Sequence, residues 1–121
     1  MKILIVDDSK AMRMIVRRTL NQAGFSGHEI VEAENGAIGL EQVEAENPDL
    51  VLSDFNMPEM NGQEFLAALR EKGVDIPFGF ITSEASVENR DQAKENGASF
   101  VICKPFTPDM FSQHLESIIV G

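Results

Sequence analysis

The segment MKILIVDDS, residues 1–9, joins an uninterrupted apolar run to two aspartates and a serine. The run from Ile3 to Val6 lacks the alternation of a strand with one wet face, and it is typical of a strand buried on both faces of a parallel sheet. Ser9 is a favoured N-cap residue, and the apolar side chains after it recur at helical spacing. This segment therefore predicts a β-strand, a short acidic turn and a helix.

The same succession of an apolar run and a helical segment recurs along the rest of the chain. Further strands are predicted at residues 28–33, 50–52, 78–81 and 100–103. Further helices are predicted to begin at Asn35-Gly36, Gly62, Ser86 and Thr107-Pro108. Strict alternation of strand and helix favours parallel strands with right-handed crossovers, and therefore an α/β three-layer sandwich. The fourth helix, residues 86–96, has few large apolar side chains, which predicts little burial and low local stability.

Composition excludes several classes of protein. The 121 residues accommodate one domain, 1–121, and we expect no separate output domain. With 20 acidic and 10 basic residues the net charge is −10, which argues against nucleic acid as a direct partner. A single cysteine excludes an internal disulfide, and no apolar stretch reaches the roughly 20 residues of a membrane span. We therefore expect a cytoplasmic, monomeric domain without a membrane partner.

Polar side chains follow four of the five predicted strands, where parallel sheets bind their ligands. They are Asp7 and Asp8, Asp54, Thr82 and Ser83, and Lys104 with Pro105. Two carboxylates about 4 Å apart repel by roughly 4 kcal/mol at an effective dielectric constant of 20, so such a cluster requires a cation or a shared proton. Oxygen ligands favour Mg²⁺, and Lys104 adds a positive charge suited to a phosphoryl group. Each residue alone also fits an ordinary turn or cap, but together they predict a site for a dianion.

Four segments carry a resemblance to a known family. They are IVDDS (5–9), SDFNMPEMNG (53–62), TSE (82–84) and KPFT (104–107). In this order and spacing they resemble the receiver domain of two-component response regulators, especially the single-domain regulators of chemotaxis. The resemblance covers essentially the whole chain. It implies a flavodoxin-like (βα)5 fold with a parallel sheet of order 2-1-3-4-5.

The resemblance also implies a chemistry. Asp54 becomes the phosphoacceptor, which takes a phosphoryl group from the phosphohistidine of a sensor histidine kinase. The implied Mg²⁺ ligands are Asp8, Asp54, the backbone carbonyl of Asn56 and, through water, Asp7. Phosphoryl binding and switching are implied for Thr82, Ser83, Lys104 and Pro105, with a cis bond between the last two. Asn56 and Glu84 are implied to tune hydrolysis of the phosphorylated aspartate.

One position departs from the family pattern. Where the family usually has Tyr or Phe, three residues before the lysine, this chain has Val101. Phe100 lies beside it, but successive side chains of a strand point to opposite faces, so Phe100 cannot replace the missing aromatic. Valine is also stiff about its first side-chain torsion. Switching through an aromatic rotamer is therefore in doubt, whereas the phosphorylation chemistry is not.

The output and two rival classes remain open at this point. The protein target is the flagellar motor switch, or else the chain is a phosphorelay intermediate or a phosphate sink. Arg13, Arg17 and Arg18 on the first helix form either a kinase docking face or a merely solvated one. A flavin-binding flavodoxin needs a hydroxyl- and glycine-rich loop after the first strand. A Mg²⁺-dependent aspartyl-phosphate phosphatase needs a second aspartate where this chain has Ser9.

Overall fold

The computed structural model describes residues 1–118, which form five strands and five helices in alternation. The strands are β1 Lys2–Val6, β2 Glu29–Ala33, β3 Leu50–Ser53, β4 Phe78–Thr82 and β5 Phe100–Cys103. The helices are α1 Lys10–Gln22, α2 Gly36–Glu46, α3 Gly62–Glu71, α4 Val87–Glu95 and α5 Pro108–Leu115. Within the described residues, no helix has both the length and the apolar character that crossing a bilayer requires.

All strand pairs are parallel, and the sheet has the order β2-β1-β3-β4-β5. The predicted fold class, strand order and three-layer architecture are confirmed. Every residue of β3 and of β4 is buried, as their continuous apolar runs predict, because helices cover both faces of the sheet.

Two hydrophobic cores lie on the two faces of the sheet. On one face, Val16 and Leu20 of α1 and Phe111 and Leu115 of α5 pack against alternate strand residues such as Ile5. On the other face, α2 and α3 pack against the remaining strand residues, with Phe65, Leu66 and Leu69 fully buried. From α4, only Ala93 is buried. This helix is therefore the least embedded element of the second layer.

The helix starts follow from capping chemistry. Ser9, Asn35, Ser86 and Thr107 each accept a backbone N–H of their helix's first turn, at the positions where the sequence predicts the starts. The third helix begins at Gly62 and is capped by Asn61, which forms a capping box with Glu64. These caps set where each loop leaves the sheet, and therefore where the polar residues at the strand ends lie.

Candidate functional site

The carboxyl ends of four parallel strands lie along one edge of the sheet. Val6 is in register with Ser53, so Asp7 and Asp54, the next residues, follow the ends of neighbouring strands. The Asp54 N–H continues the ladder by donating to the Val6 carbonyl at 3.1 Å. Lys104 follows β5, and its N–H donates to the Thr82 carbonyl at 2.8 Å. The register of the sheet thus brings the predicted site residues to one edge.

The Lys104 ammonium group lies between two carboxylates. Its Nζ is 3.0 Å from Oδ2 of Asp54 and 3.4 Å from Oδ2 of Asp7. The side chains of Lys104, Asp54 and Asp7 are only 16%, 14% and 6% exposed, so solvent screens the attraction between the ammonium group and the carboxylates weakly. The second oxygen of Asp54 accepts the N–H of Phe55 at 2.7 Å. We call Asp7, Asp54 and Lys104 the acidic corner.

Asp7 and Asp8 are adjacent in sequence but differ sharply in environment. Asp7 is buried, and its Oδ1 accepts the Ser9 N–H at 2.9 Å. Burial raises the pKa of Asp7, and the charge of Asp54 acts in the same direction, whereas the Ser9 hydrogen bond and Lys104 oppose the increase. Asp8 is exposed at the rim. The two aspartates therefore offer one dry and one wet carboxylate.

The donor chemistry of this edge fits a hard divalent cation. Carboxylate oxygens of Asp7, Asp8 and Asp54 and a backbone carbonyl at Asn56 are the type of ligand that Mg²⁺ takes together with several waters. Within residues 1–118, no three His, Cys, Asp or Glu side chains form a ready-made metal cage.

The predicted switch residues divide between the interior and the rim. Thr82 is fully buried, and its Oγ1 accepts the N–H of Glu84 at 3.1 Å. Ser83 is exposed. It lines an apolar groove of about 430 Å³ together with Met12, Ile15, Lys104, Pro105 and Phe106. The bond between Lys104 and Pro105 is cis, as the resemblance implies.

Asn56 and Glu84 lie on a second depression, between α3 and α4. This polar cleft has a volume of about 530 Å³. Its remaining lining residues are Phe55, Asn61, Gln63, Glu64, Ala67, Asn89, Gln92 and Asn96. The structure thus places both predicted tuning residues, which are exposed, on one opening beside Asp54.

Phe100 and Val101 point to opposite faces of the sheet, as strand geometry predicts. Phe100 packs in the core of α1 and α5 and stacks on His114, with ring centroids 5.2 Å apart. Its ring also crosses Gly79, where an added Cβ would lie 2.1 Å from it. Val101 is half-buried against the core of the other face. Phe100 therefore cannot take the place of an aromatic at position 101.

Three residues that build the corner were not predicted to do so. Gly62 lies so close to Asp54 that an added Cβ would be 2.1 Å from the Asp54 carbonyl oxygen. Phe55 provides the N–H that holds the Asp54 carboxylate. Arg13 donates to the Asp7 carbonyl and pairs with Glu32 at 2.8 Å.

Arg13 therefore belongs to the structure of the corner rather than to a free basic face. Arg17 shares the same partner, with 3.3 Å between its Nη2 and Oε2 of Glu32. In the sequence, the only sign of this close approach is that position 62 is a glycine. No local sequence pattern indicates the contacts of Arg13 and Arg17.

A five-stranded parallel sheet with a lysine between two aspartates at its carboxyl edge defines a class of protein. Residues 3–116 match the response regulator receiver domain, and the chain belongs to this family. The chain is 37% identical to chemotaxis protein CheY1 of Helicobacter pylori, over 98% of this chain and 97% of that protein. It is 35% identical to the CheY homolog of Campylobacter jejuni, over 98% and 92% of the two chains.

The structural comparison agrees. Chemotaxis protein CheY4 of Vibrio cholerae superimposes with a TM-score of 0.85 at 34% identity, covering 98% of each chain. Family membership decides among the three classes that the sequence left open: the chain is a receiver domain of the two-component type, not a flavodoxin or a phosphatase. It is a signalling protein.

Proposed function

We propose that this chain acts in the cytoplasm, that Asp54 accepts a phosphoryl group from the phosphohistidine of a sensor histidine kinase, and that the phosphorylated chain then binds a protein target. The observation that carries the proposal is the Lys104 ammonium group, 3.0 Å from Oδ2 of Asp54. A carboxylate that will carry a dianionic group needs a nearby positive charge, and Lys104 supplies one from a position fixed by β5. Membership of the receiver family, which generally uses Mg²⁺, supports the same conclusion.

The transfer is an in-line displacement at phosphorus. A carboxylate oxygen of Asp54 forms the new O–P bond while the N–P bond to the kinase histidine breaks, and the imidazole leaves with the electron pair. Lys104 offsets the added negative charge, and the Phe55 N–H holds the other Asp54 oxygen in place. Asp8, Asp54 and the Asn56 carbonyl would hold Mg²⁺, with Asp7 acting through water, and the ion would supply further charge neutralisation there. Thr82 directs its hydroxyl to a phosphoryl oxygen.

The apolar groove supports a protein as the phosphoryl donor. It opens at Lys104 and Pro105, and it includes Ile15 of α1, which is 43% exposed. Exposed apolar side chains beside a reactive charged group are typical of a surface that another protein covers. We therefore propose that the kinase docks on this groove. The alternative surface, the arginines of α1, is less available because Arg13 and Arg17 are both paired with Glu32.

For the output, we propose chemotaxis-type signalling to a target such as the flagellar motor switch. The support is the likeness to the chemotaxis proteins of Helicobacter and Campylobacter over nearly the whole chain. A specific observation favours a second candidate, a phosphorelay intermediate or phosphate sink: Val101 stands at the usual aromatic switch position. A phosphorelay intermediate or a phosphate sink must transfer the phosphoryl group, but neither needs a target-binding surface that depends on an aromatic switch residue.

The phosphorylation test uses a matched pair of aspartates at opposite ends of β3. The protein is incubated with Mg²⁺ and a small phosphodonor, and its intact mass is measured with and without hydroxylamine. We expect one hydroxylamine-labile phosphoryl adduct in the wild type and in Asp49→Ala, and none in Asp54→Ala. An adduct that persists in Asp54→Ala identifies another acceptor and overturns the proposal.

The output test compares the phosphorylated and resting protein in binding to a motor-switch target peptide. Tighter binding after phosphorylation supports the chemotaxis output. Equal binding, together with rapid return of the phosphoryl group to a histidine phosphotransfer protein, supports the relay or sink.

A further inference from the structure

The α4 helix is attached to the rest of the molecule mainly through polar contacts. Only Ala93 of its nine residues is buried, and Val87, at its first turn, is 74% exposed. The side of α4 that faces α3 borders the polar cleft, which is lined largely by amide side chains rather than by apolar ones. Hydrogen bonds therefore contribute much of what positions this helix.

Three hydrogen bonds connect the buried hydroxyl of β4 to α3 by way of α4. Oγ1 of Thr82 accepts the N–H of Glu84 at 3.1 Å, and the Glu84 carbonyl accepts Nδ2–H of Asn89 at 2.7 Å. The Asn89 carbonyl in turn accepts Nε2–H of Gln63 at 3.2 Å. A longer contact of 3.4 Å from Asn96 to Oε1 of Gln63 orients that amide. These contacts form a continuous series from Thr82, at the carboxyl edge of the sheet, to Gln63 on α3.

We propose that Gln63 and Asn89 form a clasp that holds α4 in its resting position and transmits the state of Thr82 to the helix. The proposal rests on the proposed function, because Thr82 changes its hydrogen bonding only when Asp54 carries a phosphoryl group. When the hydroxyl turns toward a phosphoryl oxygen, the Glu84 N–H loses its acceptor. The backbone at Glu84 then moves, and the Glu84 carbonyl carries Asn89 with it.

The clasp also provides a route of transmission that does not need the aromatic residue that the family usually has at position 101. A half-buried valine is restricted about χ1 and has no ring to reorient, so an aromatic rotamer switch on β5 cannot report the state of Thr82. The hydrogen bonds on the opposite flank of α4 connect Thr82 to the helix without using β5. Gln63 is a positioning residue in this scheme, since it acts on α4 through Asn89 and touches neither Asp54 nor Lys104.

The test variants remove the Gln63 donor without disturbing α4 itself. Gln63→Glu keeps the shape of the side chain but replaces the N–H donor by an oxygen, and Gln63→Ala removes the group entirely. Gln92→Ala is the matched control, because Gln92 lines the same cleft and its side chain makes no hydrogen bond within residues 1–118, while its backbone carbonyl accepts the Asn96 N–H that the substitution leaves in place. Amide hydrogen exchange of residues 84–96 is followed in the resting and the phosphorylated protein, with the extent of phosphorylation read from the intact mass.

In resting protein, we expect both Gln63 variants to increase exchange in α4 by about fivefold, the value for one hydrogen bond of about 1 kcal/mol, with Gln92→Ala unchanged. Phosphorylation should increase exchange in wild-type α4, and this increase should shrink in the Gln63 variants because the clasp is already open. The adduct on Asp54 should form normally in all of them.

Three different failures are separable. Equal exchange in the Gln63 variants, the control and the wild type, with normal phosphorylation, overturns the clasp and leaves the proposed function standing. Absence of an adduct in the wild type overturns the proposed function, and the resting-state exchange then decides whether Gln63 holds α4 at all. If the resting variants differ but the response to phosphorylation does not, the transmission role is wrong.

Discussion

The acidic corner and the α4 helix both follow the carboxyl ends of strands, but they are built in different ways. Asp7 and Asp54 leave the ends of strands that are buried on both faces, and Lys104 leaves β5, where Phe100 and Ile102 are buried. Aromatic packing such as Phe55 against Phe80, with centroids 4.4 Å apart, supports the loop after Asp54. The α4 helix has one buried residue and polar contacts to its neighbours. The corner therefore has little freedom to move, whereas α4 is displaced at low cost.

Under the proposed function, this difference would separate the chemistry of phosphorylation from the response to it. Phosphoryl transfer depends on positioning and on charges fixed before the reaction, so its residues belong on rigid strands. A response needs two arrangements that differ by little free energy, and an element with few buried apolar contacts provides them.

The largest effect is expected from a substitution that disturbs the rigid region around the acidic corner. In Gly62→Ala, the added Cβ would lie 2.1 Å from the Asp54 carbonyl oxygen and 2.8 Å from the Phe80 ring, and neither backbone nor packed ring can yield easily. We expect the free energy of unfolding to fall by about 3 kcal/mol, with slower phosphorylation of Asp54. Urea unfolding and intact-mass kinetics measure the two effects.

Gly73→Ala is the control for this change, because an added Cβ there meets nothing within 4 Å, although its φ of +79° disfavours alanine. We expect it to cost about 1 kcal/mol and to leave phosphorylation unchanged. If Gly62→Ala costs no more than the control, the loop after Asp54 is not held rigidly and the contrast with α4 fails.

A smaller effect is expected from the buried carboxylate of Asp7. Because burial raises its pKa above the usual 3.8, the folded protein retains this proton more tightly than the unfolded chain does. The Asp7 contribution therefore lowers the free energy of unfolding as pH rises through the interval from 3.8 to the raised value. Asp7→Asn should stabilise the metal-free protein at pH 7, a gain that disappears at acid pH.

Urea unfolding in a chelator across this pH range checks the sign of the effect. Asp8→Asn serves as the neighbouring control, and as an exposed position it should change stability by less than about 0.5 kcal/mol. A loss of stability in Asp7→Asn at neutral pH would show that the pairing with Lys104 outweighs the cost of burying the charge.

The smallest effects on stability and on phosphorylation rate are expected for a substitution near α4, at Val101. Val101 lines a surface depression beside Arg90 and Lys94, so a tyrosine there extends into open space and leaves the corner intact. For Val101→Tyr we expect stability within about 0.5 kcal/mol of the wild type and a phosphorylation rate within about twofold, with an altered affinity for the target. A collapse of the phosphorylation rate would mean that chemistry and response are not separated in this chain.

Much of the fold was predictable from local pattern. Continuous apolar runs such as residues 3–6 and 78–81 indicate buried parallel strands, and capping residues such as Ser9 and Asn35 indicate helix starts. The strand order and the roles of individual site residues came instead from the resemblance to receiver domains. The local pattern does not contain them, because pairing between strands depends on contacts far apart in the chain.

By itself, the sequence determined that carboxylates, a hydroxyl and a lysine would meet at one edge, since the carboxyl ends of parallel strands share that edge. The tertiary structure alone decided that Asp7 is buried while Asp8 is exposed, and that the Lys104 ammonium group lies between Asp7 and Asp54. It also decided that Gln63 reaches the Asn89 carbonyl across the cleft. The physical reason is that exposure and side-chain contacts depend on the register and packing of whole layers, which no short stretch of sequence specifies.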